Sequence, residues 1–553
     1  MNGKKKLLIG LVILIALGVY YYVTLPAINI HSSDTWMMGI FLLLVLLASY
    51  AVRKRLRKHE FKENKVVKCF GVLILALGAV YVIGTVLSSP IVNAKKYQQL
   101  MKVEEGNFAS DVEEISFDKI PLLDKDTAEL LGDRKMGSMV DMVSQFEADN
   151  IYSQINYKDN PVRVSPLKYA GLIKWFTNRS EGIPAYIRIN MATQSTEIVK
   201  LEEGMKYMTC EHFNRNIYRH LRFAHPTYIY GMLSFEIDDD GVPYWIAPVK
   251  KFNIGLFGGE TVGKVVICNA VTGEMKTYDV DKAPEWIDRA YSADLLVELF
   301  DYYGTLKHGF FNSVLSQKDC LRTTDGYNYL ALEDDVWMYT GVTSVNGDQS
   351  NVGFVLSNQR TMETKYYEVE GATESSAMSS AEGQVQNLHY TATFPLLLNI
   401  SGEPTYFIAL KDDAGLVKKY AMVNVQKYQI VAIGDSVSQC EENYLELLLS
   451  SGVKEAEKDT REVLTVTGKI TKIAQAVIDG TSHYYLMITD SEDIFDISVV
   501  DFIDVVRCEE GQKVTMEYKE GEKANTVLSL TVKESIDIGE NEKEELEQTE
   551  EER

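Results

Sequence analysis

Three apolar stretches in the first ninety residues constrain this chain more than any other feature. They cover Leu7–Leu25, Met37–Val52 and Cys69–Leu87. A helix needs about 20 mainly apolar residues to cross the hydrocarbon core of a bilayer. The first stretch is long for a signal peptide, and no small-residue cleavage site follows it. We therefore predict a membrane anchor of three transmembrane helices over residues 1–92, with the lipid bilayer as a partner.

The basic residues predict the orientation of this anchor. The loop between the second and third stretches holds eight lysine and arginine residues, whereas Pro26–Asp34, between the first and second, holds none. Basic loops stay in the cytoplasm. Lys95, Lys96 and Lys102 oppose the assignment but are outnumbered. We expect a multi-pass protein of the cell membrane, with a cytoplasmic N-terminus and an extracytoplasmic soluble region.

Charge and cysteine content exclude several kinds of function. The formal net charge is −23 and the pI is about 4.9, so the soluble region should repel nucleic acid. The six cysteines are scattered, without a CxxC pair, which excludes a zinc ribbon and a thioredoxin-type centre. Buried free thiols are favoured over a disulfide framework.

The soluble region contains a weak internal duplication. Three segments recur: Tyr169–Gly171 as Tyr339–Gly341, Asn190–Thr193 as Asn358–Thr361, and Pro243–Ala247 as Pro404–Ala409. Strand-like segments separated by glycine, aspartate and asparagine turns surround them. The pattern predicts two α+β lobes, over residues 166–330 and 331–450, that follow a helical connecting region over residues 93–165 with a helix near Thr127–Ile151.

The first lobe resembles a known family of modules. An amphipathic helix near Lys206–Phe223 precedes strands that read GVPYWIAPV and VVICNAVTGEMKTYDV, joined to the next strand through Asn269–Gly273. This order and the Asn-Ala-Val-Thr-Gly turn resemble the PepSY-like domains of secreted and membrane-bound bacterial proteins. The resemblance implies a non-catalytic, extracytoplasmic binding or inhibitory module. The second lobe keeps the strands but lacks the Thr-Gly turn.

The C-terminal part has a different pattern. Five strand-like segments occur between residues 461 and 533, with a helical connection near Val499–Val506. They resemble an OB-fold β-barrel, but the basic and aromatic face that single-stranded nucleic acid requires is missing. Residues 534–553 are almost wholly acidic and polar, which predicts a disordered tail.

Two motifs mimic enzyme signatures. Gly258–Lys264 satisfies GxxxxGK, but Val265 follows in place of serine or threonine, and the segment reads as a strand rather than a helix start. Ile433–Ser436 mimics the serine block of an esterase, but the only later histidine is His483, inside the predicted barrel. We predict no catalytic residue, no nucleotide and no cofactor.

A cationic stripe is the candidate binding site. Arg215, Arg219 and Arg222 recur at helical spacing, and His220 and His225 lie close to them in the sequence. Such a stripe could receive a carboxylate, a phosphate or an acidic segment of a partner. The alternative is a solvated helix face that pairs with Glu202, Glu203 or Asp238–Asp240. No two of His212, His220 and His225 lie one helical turn apart, so no metal site is predicted.

The sequence thus predicts a membrane-anchored extracytoplasmic binding or scaffold protein of the bacterial cell envelope, without catalytic activity. Its expected partners are other envelope proteins or copies of itself. The alternative is an envelope hydrolase, or a regulator or inhibitor of an envelope protease.

Overall fold

The computed structural model describes residues 3–54, 61, 64–114, 120–332, 334–344, 350–453, 463–478, 481–489, 491–500, 502–521 and 524–533. The chain forms two compact units, Met1–Tyr444 and Leu445–Arg553. The predicted acidic tail and most of the predicted basic loop lie outside the described residues.

Three long helices begin the first unit: α1 (Gly3–Thr24), α2 (Ser33–Lys54) and α3 (Lys65–Ser88). Two segments, Ser33–Val52 with 20 residues and Lys65–Ser88 with 24, are long and apolar enough to cross a membrane. In α1 the described apolar part, Leu14–Thr24, is shorter. The structure therefore supports two membrane-spanning helices, and the third crossing and the orientation remain predictions.

Short elements connect these helices to the sheets: α4 (Pro90–Gln98), β1 (Glu104–Gly106), α5 (Phe108–Asp111), α6 (Lys125–Gly137) and β2 (Phe146–Ala148). The helix predicted near Thr127–Ile151 was too long. Asp124 caps its start by accepting a hydrogen bond from the Thr127 N–H at 2.9 Å. The chain leaves the helix after Gly137, and Phe146 is buried in a strand that pairs with β4. Pairing in the sheet thus overrides the helical spacing of the apolar residues.

Four antiparallel meanders form most of the first unit. The first contains β3 (Ser153–Tyr157), β4 (Asn160–Tyr169), β5 (Ile183–Asn190) and β6 (Thr196–Met205). The second contains β7 (Ser234–Ile237), β8 (Pro243–Ile254), β9 (Gly258–Asn269) and β10 (Met275–Asp279). The third region contains β11 (Leu321–Thr323), β12 (Asn328–Leu332), β13 (Asp335–Ser344), β14 (Ser350–Asn351), β15 (Gly353–Asn358), β16 (Thr364–Tyr367) and β17 (Gly371–Ala372). The fourth contains β18 (Thr391–Ala392), β19 (Leu396–Ile400), β20 (Glu403–Lys411), β21 (Val417–Asn424) and β22 (Val431–Gly434).

Five further helices accompany the meanders: α7 (Leu172–Asn178), α8 (Ile217–Ala224), α9 (Ala293–Thr305), α10 (Glu374–Gln384) and α11 (Val437–Ser450). The helix predicted near Lys206–Phe223 is shorter than expected, because α8 begins only at Ile217. Asn216 caps it and accepts a hydrogen bond from the Arg219 N–H at 3.3 Å. The preceding Met205 and Met208 are fully buried in the core instead.

One asparagine turn recurs in the first three meanders: between β5 and β6, between β9 and β10, and between β15 and β16. The side chains of Asn190, Asn269 and Asn358 each accept hydrogen bonds from two following backbone N–H groups, at 2.8 to 3.0 Å. The Asn269 turn is the one that carries the PepSY-like resemblance. The predicted division into two similar lobes is not confirmed, since the strands are distributed over four meanders.

The second unit contains a closed barrel of five strands: β23 (Leu464–Ile478), β24 (Thr481–Ile488), β25 (Phe495–Ser498), β26 (Lys513–Lys519) and β27 (Asn525–Lys533). Their order in the barrel is β23-β24-β25-β27-β26, with β25 and β27 parallel. Alternate residues point inward, as a half-buried strand requires, and Phe495, Ile497 and Val514 are fully buried. The predicted five-stranded barrel is confirmed, and its helical connection is a short 3₁₀ turn, Ile503–Arg507.

The hairpin tip between β8 and β9 packs against the C-terminal end of α3. The backbone N–H groups of Leu256 and Phe257 donate to the Ser88 hydroxyl at 2.9 and 3.1 Å. The Tyr97 hydroxyl donates to the Ser88 carbonyl at 2.6 Å. The Phe257 ring lies against those of Trp36 and Tyr81, with centroids 6.2 and 5.0 Å away. This tip therefore joins the second meander to the helical anchor.

Gly258 makes this close approach possible, and its replacement by alanine is expected to weaken it. An added Cβ would collide with the Ser88 carbonyl and the Tyr97 hydroxyl. Overpacking of this kind costs about 1–3 kcal/mol, and the loss should appear as a lower thermal unfolding midpoint of the full chain in detergent. The control is Gly383→Ala in α10, where nothing lies within 4 Å of the added Cβ. A Gly258→Ala protein as stable as this control would show that the approach is not tight.

Candidate functional site

Part of the predicted cationic stripe contacts the end of a helix. Arg222 donates from Nε to the Leu25 carbonyl at 2.9 Å, and Arg219 donates from Nε to the Tyr22 carbonyl at 3.3 Å. Arg219 also lies over the Tyr22 ring, 4.3 Å from its centroid. These carbonyls belong to the C-terminal end of α1, which favours cations because of the helix dipole. Two of the five predicted residues therefore attach α8 to the first helix.

The other three predicted residues do not share one cavity. Arg215 donates to the Arg179 carbonyl and lines a cleft of about 450 Å³ beside Trp175. The His220 ring is hydrogen-bonded to the Gly273 carbonyl at 2.9 Å. His225 stacks on Tyr228, with centroids 4.6 Å apart. The expected pairing with nearby acidic residues is not seen among the described residues. The stripe thus makes contacts within the protein, and its role as a binding site stays a prediction.

A larger cavity, here called the central cavity, has a volume of about 560 Å³. Strands of the first and third meanders, the loop Gly231–Leu233 and the Asn358 turn surround it. Its lining residues are Asp124, Lys125, Asn150, Ile151, Tyr152, Ser153, Gln154, Arg163, Tyr218, Gly231, Met232, Leu233, Arg289, Tyr327, Asn328, Tyr329, Gln359 and Phe394. Five aromatic rings and nine polar or charged side chains share this lining, which suits a small molecule that carries a charged group.

Arg163 is the most unusual residue of the central cavity. It stands on β4 opposite Gln154 of β3, and only 6% of its surface is exposed. Its Nη2 donates to the Gln154 Oε1 at 3.3 Å, but its Nε has no hydrogen-bond partner in the described part of the protein. Burial lowers the pKa of Arg163 to about 10, so the group stays charged at neutral pH. A buried, uncompensated charge is costly unless a partner meets it.

Two buried glutamines present further polar atoms. Within the described residues, Gln154 Nε2 and Gln359 Oε1 have no hydrogen-bond partner. Gln359 is fully buried, and its Nε2 donates to the Tyr291 carbonyl at 3.1 Å. The Gln359 carbonyl accepts from the N–H groups of Ala290 and Tyr291 at 3.1 and 2.7 Å. These bonds fix the backbone next to Arg289, whose half-buried side chain lines the same cavity.

The acidic residue of the cavity is already neutralised. The Lys411 ammonium contacts the Asp124 carboxylate at 2.5 Å. Burial acts to raise the pKa of Asp124, but hydrogen bonds from Lys411 and Thr127 outweigh it, so that pKa lies below its ordinary value. No described carboxylate lies within 4 Å of the Arg163 or Arg289 guanidinium. The cavity therefore presents two guanidinium groups that form no ion pair with a described carboxylate, and an amide N–H without a described partner, which favours an anion.

The same cavity offers little to catalysis. Its described lining contains neither histidine nor cysteine, and the Ser153 hydroxyl accepts a hydrogen bond from the Phe235 N–H at 3.2 Å. A serine without a base is a poor nucleophile. A coupled pair of buried carboxyls, Glu236 and Asp288, lies nearby but does not line the cavity.

The two enzyme-like motifs have structural roles. Lys264 lies within strand β9 and pairs with Asp279 at 2.8 Å, so no helix start follows the GxxxxGK segment. Ser436 accepts a hydrogen bond from the Gln439 N–H at 3.1 Å at the beginning of α11. His483 contacts Asp496 at 2.8 Å within the barrel. No group of three potential metal ligands occurs in the described parts of the chain.

Comparison with known proteins assigns no family. No family model matches the chain, and no curated protein matches it. One solved structure, titled "Structural mimicry for functional antagonism", is 13% identical to this chain in sequence. The matched region covers 26% of this chain and 88% of the chain in that structure. Its TM-score is 0.11, so it supports no conclusion about fold or function. Function must therefore be inferred from the central cavity.

Proposed function

We propose that this chain is a membrane-anchored extracytoplasmic binding protein, and that its central cavity takes a small anion of the carboxylate or phosphate class. The observation that carries the proposal is Arg163, a nearly buried guanidinium whose Nε has no partner among the described residues. With the predicted orientation of the anchor, which is part of the proposal, the cavity lies outside the cytoplasmic membrane. PepSY-like and envelope-scaffold roles are compatible with this activity and stay part of the proposal.

The geometry around Arg163 suits an oxyanion. Guanidinium groups bind carboxylate and phosphate through paired N–H donors. Arg289 adds a second cation, and Gln154 Nε2 adds a neutral donor that is otherwise without a partner in the described protein. Tyr327, Tyr329 and Phe394 supply rings that could cover the rest of the molecule. An anion that also carries an apolar or aromatic part fits this lining best.

Binding can be tested on the full chain in detergent by isothermal titration. The probes are inorganic phosphate, phosphate monoesters, and mono- and dicarboxylates, and the two anion classes are compared directly. At least one class is expected to bind, and Arg163→Gln should weaken it at least tenfold. The reason is that a hydrogen bond to a charged group contributes about 1.5–3 kcal/mol, and 1.4 kcal/mol is a factor of ten.

A matched control separates binding from a general loss of charge. Arg188 lies on the neighbouring strand β5 and pairs with Glu197 at 2.8 Å, outside the central cavity. Arg188→Gln removes the same charge and is expected to leave the affinity unchanged. Absence of binding in the wild type, or equal affinities of the Arg163→Gln and Arg188→Gln proteins, would refute the proposal.

The hydrolase alternative has less support. It requires a nucleophile beside a base in an accessible cleft, and the described lining of the central cavity provides no such pair. Regulation of an envelope protease remains compatible with a binding protein, because occupation of the cavity by an acidic segment of a partner would use the same arginines.

A further inference from the structure

We infer that the soluble part of the first unit rests on the lipid bilayer through two exposed apolar segments that flank the ends of the anchor helices. This inference is independent of the central cavity. It depends on the membrane anchoring of the chain and concerns residues that do not line the central cavity. The occupant is the bilayer interface itself, where acyl chains meet headgroups.

The first segment is α7 together with Phe213. The side chains of Leu172, Ile173 and Phe176 are 66%, 77% and 63% exposed, and Phe213 is 63% exposed. Residues 172, 173 and 176 fall on one face of the helix, while Trp175 faces the core and donates to the Glu211 carboxylate at 2.8 Å. An exposed apolar face of this kind is unusual on a surface in water.

The position of this segment is fixed by α8. Arg219 donates both to the Phe213 carbonyl at 2.5 Å and to the Tyr22 carbonyl at 3.3 Å. The Arg219 side chain therefore links Phe213 to the C-terminal end of α1. Tyr22 marks the place where that helix ends, and an aromatic ring there is typical of the membrane interface. The apolar face of α7 thus lies near the level at which the chain leaves the bilayer.

The second segment surrounds residues Asn312–Ser316. Phe311, Val314 and Leu315 are 70%, 57% and 78% exposed. The preceding Phe310 packs in a small cluster with Tyr97, Ile254 and Leu306, and Tyr97 is hydrogen-bonded to Ser88 at the end of α3. This second segment is therefore attached to the end of another anchor helix.

Charge around the two segments also favours lipid. Although the chain carries a net charge of −23, exposed cations flank both apolar segments. They are Arg179 at the first and Lys307 and Lys318 at the second, and the half-buried Lys174 lies within the first. Basic residues beside apolar side chains are the composition of interfacial segments, since the cations meet anionic headgroups while the apolar groups enter the boundary region.

The test measures depth in the membrane at defined positions. The full chain, with Cys69 replaced by alanine, is reconstituted in nanodiscs of phosphatidylcholine and phosphatidylglycerol. A single new cysteine, Ile173→Cys or Leu315→Cys, carries an environment-sensitive fluorophore, and spin-labelled lipids act as the quencher. The control is Asp240→Cys, in the turn that precedes β8. Strand β8 has 12 residues and spans about 40 Å at roughly 3.3 Å per residue. Position 240 lies near one end of β8, and the hairpin tip at the other end contacts Ser88.

Labels at positions 173 and 315 are expected to be quenched at least threefold more than the label at position 240. Equal, weak quenching at all three positions would overturn the inference. So would labels at 173 and 315 that are shielded from water but not quenched, because another protein would then cover the face. Anion binding by the same reconstituted samples is measured separately, so a failed membrane contact and a failed binding site are distinguishable.

Discussion

Replacement of Arg222 by alanine is expected to lower the free energy of unfolding by about 3–5 kcal/mol. The side chain is only 8% exposed. It donates from Nε to the Leu25 carbonyl at 2.9 Å and from Nη1 to the Tyr228 carbonyl at 2.5 Å, with longer contacts to two further carbonyls. Each hydrogen bond to a charged group contributes about 1.5–3 kcal/mol. The substitution would also leave the Leu25 carbonyl, just after the end of α1, without its cation.

The measurement is chemical or thermal unfolding of the full chain in detergent, followed by hydrogen exchange of residues 28–31. Those residues contact the soluble part through the Ile28 N–H, which donates to the Pro226 carbonyl at 2.8 Å. Their exchange should accelerate in the variant. Arg222→Lys should lose less stability, because lysine keeps the charge but lacks the planar set of donors.

Arg134→Ala provides the matched control. Arg134 lies in the last turn of α6 and is exposed, without an ion pair among the described residues. An exposed substitution of this kind usually changes stability by no more than about 0.5 kcal/mol. If Arg222→Ala lowers the free energy of unfolding no more than Arg134→Ala does, the hydrogen bonds of Arg222 do not stabilise the attachment of α8 to α1.

This contact is the part of the cationic stripe that the sequence did not reveal. Arg215, Arg219 and Arg222 recur at helical spacing, which correctly indicates one face of a helix. The pattern does not reveal what covers that face. In the structure, Arg219 and Arg222 meet carbonyls near the end of α1, almost two hundred residues earlier in the chain. A contact between such distant segments leaves no local trace in the sequence.

The central cavity was missed for a related reason. Its key groups are Arg163 on β4, Gln154 on β3, Arg289 before α9 and Gln359 after β15. Each is one polar residue in an ordinary segment. One signal was available: Arg163 interrupts the otherwise buried strand Asn160–Tyr169, and a charge within such a strand needs a partner. The fold brings the other groups to it from the first and third meanders.

Local patterns did predict the parts of the fold that depend on neighbouring segments. The barrel strands alternate apolar and polar residues, and three of their pairings join consecutive strands, so the presence and order of the five strands could be anticipated. The asparagine turns were visible because their hydrogen bonds join residues only two to five positions apart. The length of α8 was not predictable in this way, because the burial of Met205 and Met208 depends on the whole core.

Stability is expected to fall as the pH rises above the ordinary pKa range of a carboxyl group, because two carboxyl groups are buried together. Glu236 and Asp288 are 0% and 1% exposed. The Asp288 N–H donates to Glu236 Oε2 at 3.0 Å, and the Ser234 hydroxyl donates to Glu236 Oε1 at 2.6 Å. Burial raises the pKa of Glu236, and burial together with the neighbouring Glu236 raises the pKa of Asp288 well above its ordinary value.

The sign of the effect follows from proton binding. Between the ordinary pKa of a carboxyl and its raised value, the folded protein holds protons that the unfolded chain has released. A rise in pH through this window therefore favours the unfolded chain. A tenfold change in proton affinity corresponds to about 1.4 kcal/mol, and two groups contribute, so the loss should be on the order of a few kcal/mol. Arg289 lowers the pKa of Glu236 and so reduces this loss of stability. Asp334 and Asp335 raise the pKa of Asp288 and so increase it.

Asp288→Asn should remove most of this pH dependence and stabilise the protein at the alkaline end. The amide keeps an oxygen to accept the Asn156 N–H, which lies 2.8 Å from Asp288 Oδ2, and it has no proton to lose. The measurement is the unfolding midpoint of the full chain in detergent as a function of pH. Asp141→Asn, at a site exposed to solvent and paired with Lys200, should keep the wild-type pH dependence. If Asp288→Asn loses stability with rising pH as steeply as Asp141→Asn does, Asp288 is not one of the groups that titrate.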